Sequence, residues 1–391
     1  MKKQLNTVYI LIAIYALHGV GANFAHPITP SYLNSLNFPS AMYGYVFAAM
    51  SFTNFAFSPF WGVMSRYVKS KTLLLIGAVG YGVGQAIFGY SSNPYIVIFG
   101  RLVSGAFVSA VFVAAGYYVV QKSSKQQKAS NITKMVTIFS VSGTLGYFLG
   151  GYLGQFSLKL PFVVQVVTLV SAGILFYVLL EDNEVSEKVS IKEIIARSNP
   201  MVKSDTPLSK EFKVLFLSVF LIATASTTLT QTFSYYIVDS LDMTSFANGL
   251  SKGIVGLLST ILNLTITLKI VNSESVEKHL VGLFSIIGIV ILWMVGLRGM
   301  ALAFMIVGIV AMSLDTMPVS LLQGRTISYS SDDTQGETLG LHNAMKSLGM
   351  IIGSLVAGWL YDVSALSPFV LSTLLYLMGA LLMYRIYKYV K

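Results

Sequence analysis

The sequence predicts an all-α integral membrane protein with 12 transmembrane helices in two six-helix halves, and three observations carry that prediction. The first is composition: 54% of the 391 residues are hydrophobic and 11% are charged, where a soluble domain carries roughly 25% charged residues. Even a large soluble domain leaves about a quarter of its chain surface exposed, and this chain lacks the polar residues to cover it. The second is a series of twelve apolar runs, each long enough for the roughly 20 residues that cross a hydrocarbon core. The third is an internal repeat of roughly 205 positions.

The first half is expected over residues 1–181, with spans at 7–34, 40–66, 71–92, 94–121, 131–157 and 160–181. Span 1 follows Lys2 and Lys3 and contains Gly19-Val20-Gly21, a weak point flanked by His18 and His26. A signal peptide is rejected, because the run is longer than a signal core and no small-x-small cleavage pattern follows it. Span 2 ends at Arg66, ahead of Lys69 and Lys71, and span 4 stops before Lys122, Lys125 and Lys128. A polar linker is expected over 182–211; its amphipathic stretch from Val189 to Ile195 fits equally a helix on the membrane surface or a solvated connection. The second half, 212–391, has spans at 212–239, 245–271, 277–297, 299–322, 338–361 and 365–387, with Asp239, Asp242 and Asp362 at outer ends.

Lys and Arg fix the expected orientation. With both termini in the cytoplasm, all 26 fall in inner loops and tails except Lys159 and Arg298, which are outer, and Arg101, Lys252 and Lys346, which lie within spans. That is the positive-inside pattern. It also accounts for the net charge of +10, so no basic face is left for nucleic acid.

The repeat is visible residue by residue. Gly146-Tyr147-Phe148-Leu149-Gly150-Gly151 and Pro161-Phe162-Val163 recur 207 positions later as Gly353-Ser354-Leu355-Val356-Ala357-Gly358 and Pro368-Phe369-Val370. Ser35-Leu36-Asn37 with Ser40 and Gly44 recurs 205 positions later as Ser240-Leu241-Asp242 with Ser245 and Gly249. Two six-span halves in the same orientation are a transporter design with substrate between the halves.

With these elements in place the chain resembles the major facilitator superfamily, and within it the 12-span drug/proton antiporters of Gram-positive bacteria, the quinolone and multidrug exporters. Pro27-Ile28-Thr29-Pro30-Ser31-Tyr32-Leu33 is similar to the family's P-x-x-P-x-Y-L, Ser58-Pro59-Phe60-Trp61-Gly62 to its S-P-x-x-G, and Arg101 with Gly105 to its R-x-x-x-G. Ser142, Gly146, Gly150 and Gly151 follow the antiporter motif of span 5, with Ser and Tyr147 replacing its first Gly and its Pro. The resemblance implies conformational roles for Gly62, Arg66, Gly105, Gly146, Gly150, Gly151, Gly353 and Gly358. Two departures stand out. Arg66 occupies the place of the family's Asp in the loop after span 2, while Asp332, Asp333 and Glu337 precede span 11; this is either a charge-reversed latch or an ordinary basic loop opposite a solvated acidic one. Span 7, where related exporters often carry a carboxylate, shows Thr227, Thr228, Thr230 and Gln231.

Ionisable groups within spans are candidate sites, since a charge there costs a few kcal/mol unless it faces a partner or a cavity. Asp315, before Pro318, is expected to be the proton or substrate-cation site, or else an ion pair with Lys346. Arg101 is either a coupling residue or a scaffold cation. His18 is a further coupling candidate, because histidine titrates near neutral pH, or a packed helix-interface residue. Candidate substrate contacts are Tyr15, Asn23, His26, Phe52, Gln231, Tyr235, Lys252, Met312, His342 and Lys346. Arg101, Lys252 and Lys346 against Asp315 leave the spans with surplus positive charge if all are ionised, which pulls toward anionic or zwitterionic substrates, whereas the family resemblance pulls the other way.

The expected function is proton-coupled export of amphipathic small molecules by alternating access, as a monomer in a bacterial cell membrane. The alternative is a dedicated exporter of an endogenous anion or zwitterion such as a metallophore, peptide or lipid headgroup, without obligatory proton coupling. A non-transporting sensor has no need of Asp315 and Arg101. An enzyme is not expected: the chain has no cysteine, no nucleotide-binding G-x-x-x-x-G-K-[ST] and no H-E-x-x-H, which removes thiol, ATP-driven and zinc chemistry. No cofactor and no metal site are expected.

Overall fold

The computed structural model describes residues 2–124, 127–185, 192–193, 210–271, 273, 275–328 and 335–390, with side chains described outside 2–6, 128–130, 133, 210–211, 327, 335–340 and 389–390. Helices occupy all twelve expected spans, and no strand occurs among the described residues. Spans 2 to 7 are Ala41–Met64, Ser70–Tyr90, Pro94–Lys122, Lys128–Gly154, Leu160–Leu179 and Lys210–Asp239. Span 8 runs from Ser245–Leu262 through a π-helical turn, Asn263–Thr267, into Leu268–Val271. Spans 9 to 12 are Val276–Gly296, Ala301–Ser328, Gln335–Val363 and Ser367–Val390. Among the described residues, ten helices are long and apolar enough to cross a membrane; span 2 carries Tyr43, Tyr45, Asn54 and Pro59, which dilute its hydropathy.

Span 1 departs from the continuous run that the sequence suggests. It is two helices, Lys2–Ala22 and Thr29–Ser35, separated by turns at 23–28. The break therefore lies beyond Gly19-Val20-Gly21, where the sequence placed the weak point. Proline explains the shift: Pro27 and Pro30 lack the N–H that a continuing helix needs and crowd the preceding turn. The carbonyls released are recaptured, those of Gly21 and Ala22 by Gln165 Nε2 at 3.1 Å each, that of Ala22 also by the Tyr81 hydroxyl at 3.0 Å, and that of Ala25 by Thr29 Oγ1 at 2.7 Å. Buried backbone groups need such partners.

The chain groups into two compact units. The first comprises Met1–Tyr32, Ala49–Val202 and Ser245–Leu250, and the second Leu33–Ala48, Lys203–Thr244 and Ser251–Lys391. In the first unit spans 1 and 5 approach backbone to backbone: a Cβ on Gly146 would strike the Val20 carbonyl and one on Gly150 the Phe24 carbonyl. In the second, spans 7 and 11 do the same, a Cβ on Gly353 falling 2.6 Å from the Thr224 carbonyl. Small residues permit this approach where helices pack in lipid.

The repeat recurs in the backbone. The non-glycine residues with positive φ among those described are Asn37 (φ 55°) and Asp242 (φ 49°), which are repeat equivalents closing the first and seventh spans. Asn and Asp tolerate this left-handed conformation because their side chains bond locally.

Candidate functional site

Each unit holds a buried charged group within its helices. In the first, Arg101 is 1% exposed. Its guanidinium lies 3.8 Å from the centroid of the Phe88 ring, and its nitrogens reach Thr29 Oγ1 at 3.3 Å and Met50 Sδ at 3.6 Å. A stacked guanidinium of this kind contributes on the order of 1 kcal/mol, and it ties spans 2, 3 and 4 to the residue at which span 1 restarts. Gly105, one turn on, lies so close to span 2 that a Cβ would strike the Met50 carbonyl and the Thr53 hydroxyl.

His18 is fully buried among Tyr15, Tyr81 and Phe176, with ring centroids 6.1, 6.2 and 6.5 Å away, and neither ring nitrogen has a hydrogen-bond partner among the described residues. Tyr15 packs on Phe139 at 4.9 Å. Asn23 Nδ2 donates back to the Gly19 carbonyl at 2.8 Å, and His26 lies 5.6 Å from the Tyr147 ring. Phe52 is exposed.

The second unit gathers the rest. Asp315 is 3% exposed, in the middle of span 10 and three residues before the helix-internal Pro318. One carboxylate oxygen accepts from Ser226 Oγ of span 7 at 2.5 Å and the other from the Tyr376 hydroxyl of span 12. The Lys252 ammonium, half-buried in span 8, interacts electrostatically with Asp315, donates to the Thr230 carbonyl at 3.1 Å and meets Met312 Sδ at 3.8 Å. Lys346 is not the partner of Asp315, in contrast to the ion pair suggested by sequence: no salt bridge joins them among the described residues, and each carboxylate oxygen accepts from a hydroxyl instead.

The remaining candidates spread along spans 7 and 11. Gln231 Nε2 donates to Ser354 Oγ at 2.9 Å, leaving its buried Oε1 without a partner among the described residues. Tyr235 donates to Asn34 Oδ1 at 2.7 Å and packs against Tyr43 and Tyr361. His342 is bonded through Nδ1 to Thr326 Oγ1 at 3.0 Å. Nearby, Glu277 is 2% exposed and paired with Arg325.

Among the motif residues, Gly151 and Gly358 are close-approach positions, a Cβ on them falling 2.7 Å from the Ser245 carbonyl and 2.9 Å from Ala41 Cα. Gly62 differs: a Cβ there meets nothing within 4 Å among the described residues. Arg66 is exposed. Asp332 and Asp333, the other side of the latch, lie outside the described residues, as does the Glu337 side chain and most of the amphipathic linker stretch. In the same loop as Arg66, Lys69 and Lys71 both pair with Asp182 at the end of span 6, and the Ser70 amide donates to Asn183 at 2.6 Å. The hydrogen bonds from the two ammonium groups hold the Asp182 carboxyl down at about 2.

Sequence reasoning passed over Ser226 and Tyr376. Tyr376 carried a signal, since a tyrosine in an apolar span must bury its hydroxyl against an acceptor. Ser226 had none to separate it from its hydroxylic neighbours. The π-helical turn of span 8 is equally unmarked; there Asn263 Nδ2 donates to the Ser259 carbonyl and to Thr316 Oγ1, next to Asp315.

Known proteins agree with this architecture. The sequence profile of the Major Facilitator Superfamily matches residues 11–326. The chain is similar to multidrug resistance protein 2 of Bacillus subtilis (strain 168), with 21% identity over 387 residues covering 97% of this chain and 96% of that protein. It is also similar to quinolone resistance protein NorA of Staphylococcus aureus (strain MSSA476), with 23% identity over 368 residues, 94% of this chain and 92% of that one. In fold it is similar to a bacterial homologue of the human lysosomal transporter Spinster in an inward-facing and occupied conformation, with a TM-score of 0.76 at 10% identity, covering 97% and 95% of the two chains.

Proposed function

The chain belongs to the major facilitator superfamily and is a multi-pass membrane transporter of small molecules, and from that premise we propose that it exports amphipathic molecules from the cytoplasm in exchange for protons, with Asp315 as the proton carrier. The observation that carries the proposal is the setting of this carboxylate: mid-span, 3% exposed, and hydrogen-bonded by hydroxyls from two other spans. A buried ionised carboxylate persists only with such donors and a nearby cation, and Lys252 supplies the cation. The relatives named for multidrug and quinolone resistance support the export direction.

In this mechanism proton entry from outside neutralises Asp315. The hydroxyls of Ser226 and Tyr376 then lose a charged acceptor, and Lys252 loses its counter-charge. Charge-assisted hydrogen bonds are roughly twice as strong as neutral ones, so the packing of spans 7, 10 and 12 around Asp315 differs between the two protonation states. Pro318 removes the backbone bond to the Leu314 carbonyl and leaves span 10 able to respond. A ligand favouring one state shifts the population toward it, which is alternating access. Both termini lie in the cytoplasm, the protein works as a monomer, and Arg101 and His18 serve the packing of the first unit.

The test is uptake of an amphipathic dye into inverted vesicles. Accumulation that requires an imposed proton gradient and collapses with a protonophore is the expected result. Equal uptake with and without the gradient would mean facilitated diffusion.

A further inference from the structure

The proposed exporter still lacks a substrate charge, and the second unit supplies one. Building on that transport reading, we infer that Lys252 is the binding group for the substrate's charge, and that the transported amphiphiles carry an oxyanion such as a carboxylate.

Asp315 is unsuited to hold a cationic ligand. Both of its oxygens already accept from protein hydroxyls, Ser226 on one and Tyr376 on the other, and the side chain is 3% exposed. An arriving ammonium would find one acceptor site on each oxygen already taken and the carboxylate buried among helices.

Lys252 stands in the opposite condition. It is half-buried rather than enclosed, and an ammonium carries three donors. One is used on the Thr230 carbonyl at 3.1 Å; the second faces Met312 Sδ at 3.8 Å, and a thioether is a weak acceptor. No carboxylate lies within ion-pair distance of it among the described residues. A cation in a membrane span is retained when it pairs with an opposite charge or serves a substrate path, and here the protein leaves that pairing incomplete. A carboxylate fits the remaining donor position and outcompetes the weak thioether for the second, and Met312 beside the ammonium offers an adaptable apolar contact for the rest of an amphiphile.

The surrounding charges reinforce the choice. Lys346 adds a second cation with no hydrogen bond among the described residues, and Asp315 is the single mid-span acid described in the unit.

The test is equilibrium binding to the purified full-length protein of two fluorescent probes with the same acyl chain, one ending in a carboxylate and the other in trimethylammonium. The carboxylate is expected to bind wild type and Lys252→Arg, and to lose about tenfold or more in affinity for Lys252→Gln, since a hydrogen bond to a charged group is worth roughly 1.5 kcal/mol or more. Unchanged carboxylate affinity in Lys252→Gln, preference of wild type for the trimethylammonium probe, or no binding of either would overturn the inference. Failure of the underlying reading shows separately, as a carboxylate probe that binds through Lys252 but is not moved by a proton gradient in vesicles.

Discussion

In the first unit the backbone of Gly151 meets Ser245 and Gly249; in the second, 207 positions on, Gly358 meets Ala41 and Gly44. Gly146 against Val20 and Asn23 is matched in the same way by Gly353 against Thr224 and Thr227, and along the chain the left-handed Asn37 is repeated by the left-handed Asp242, both grouped with the second unit. The polar centres do not repeat. At the same offset, Asp315 corresponds to Val108, and Arg101 to Gly308. The first unit's buried charge is stacked on Phe88 and tied to its own scaffold, whereas the second unit's is set among hydroxyls with an incompletely partnered lysine beside it. Packing is thus common to both units, while the groups we propose to move a proton and hold a charged ligand sit in the second. Damage to packing should be symmetric between the units, and damage to coupling should not.

The largest expected effect is on the shared packing. Gly150→Leu and Gly353→Leu each drive a side chain into a facing carbonyl, and each should cost about 3 kcal/mol, the upper part of the usual overpacking range. The yield of monodisperse protein after detergent extraction checks this. Loss in one variant alone would break the symmetry.

Coupling should respond on one side only. Tyr376→Phe and Ser226→Ala each remove one donor to Asp315, a bond of roughly 1.5 kcal/mol or more, and should lower gradient-driven uptake about tenfold with modest change in thermal stability. Arg101→Lys keeps the charge but loses the flat stack on Phe88, and lysine does not replace arginine at such a site. It should lower thermal stability by about 1 kcal/mol and leave probe affinity unchanged. Thermal melts and binding isotherms on the same preparations separate the two outcomes.

The smallest effect is expected outside the membrane. The Asp182 carboxyl, held at about 2 by Lys69 and Lys71, lies below the ordinary value of about 3.9. Its depressed value means that its stabilisation is fully present above about pH 4 and is lost as pH falls through about 2. Between pH 5 and 8 the contribution is constant. Asp182→Asn should therefore shift the melting temperature slightly and by the same amount at pH 5 and pH 8, and less in high salt, as for exposed pairs in general. A pH dependence of transport in that range that disappears in Asp182→Asn would contradict this.

The twelve spans were legible because crossing a bilayer demands long apolar runs, a constraint written locally in the chain. The break in span 1 was misplaced for an equally local reason: glycine looks weak in isolation, yet Gly19 and Gly21 serve close contacts with span 5 and span 6, from Phe139 and Thr168, and the prolines do the breaking. Asp315 and Lys252 stood out as charges in apolar surroundings. Their partners did not, because Ser226 and Tyr376 reach Asp315 from helices 89 and 61 residues away, and nothing in the local pattern of either span encodes that meeting. Lys346 was the natural guess from charge alone, and hydroxyls took its place.

The most direct measurement compares two modes of transport in Asp315→Asn vesicles: substrate exchange at equilibrium without a gradient, and accumulation driven by an imposed proton gradient. If Asp315 carries the coupled proton, exchange persists at a rate close to that of wild type while gradient-driven accumulation is abolished. Gradient-driven accumulation that survives in Asp315→Asn would contradict it and place the proton elsewhere.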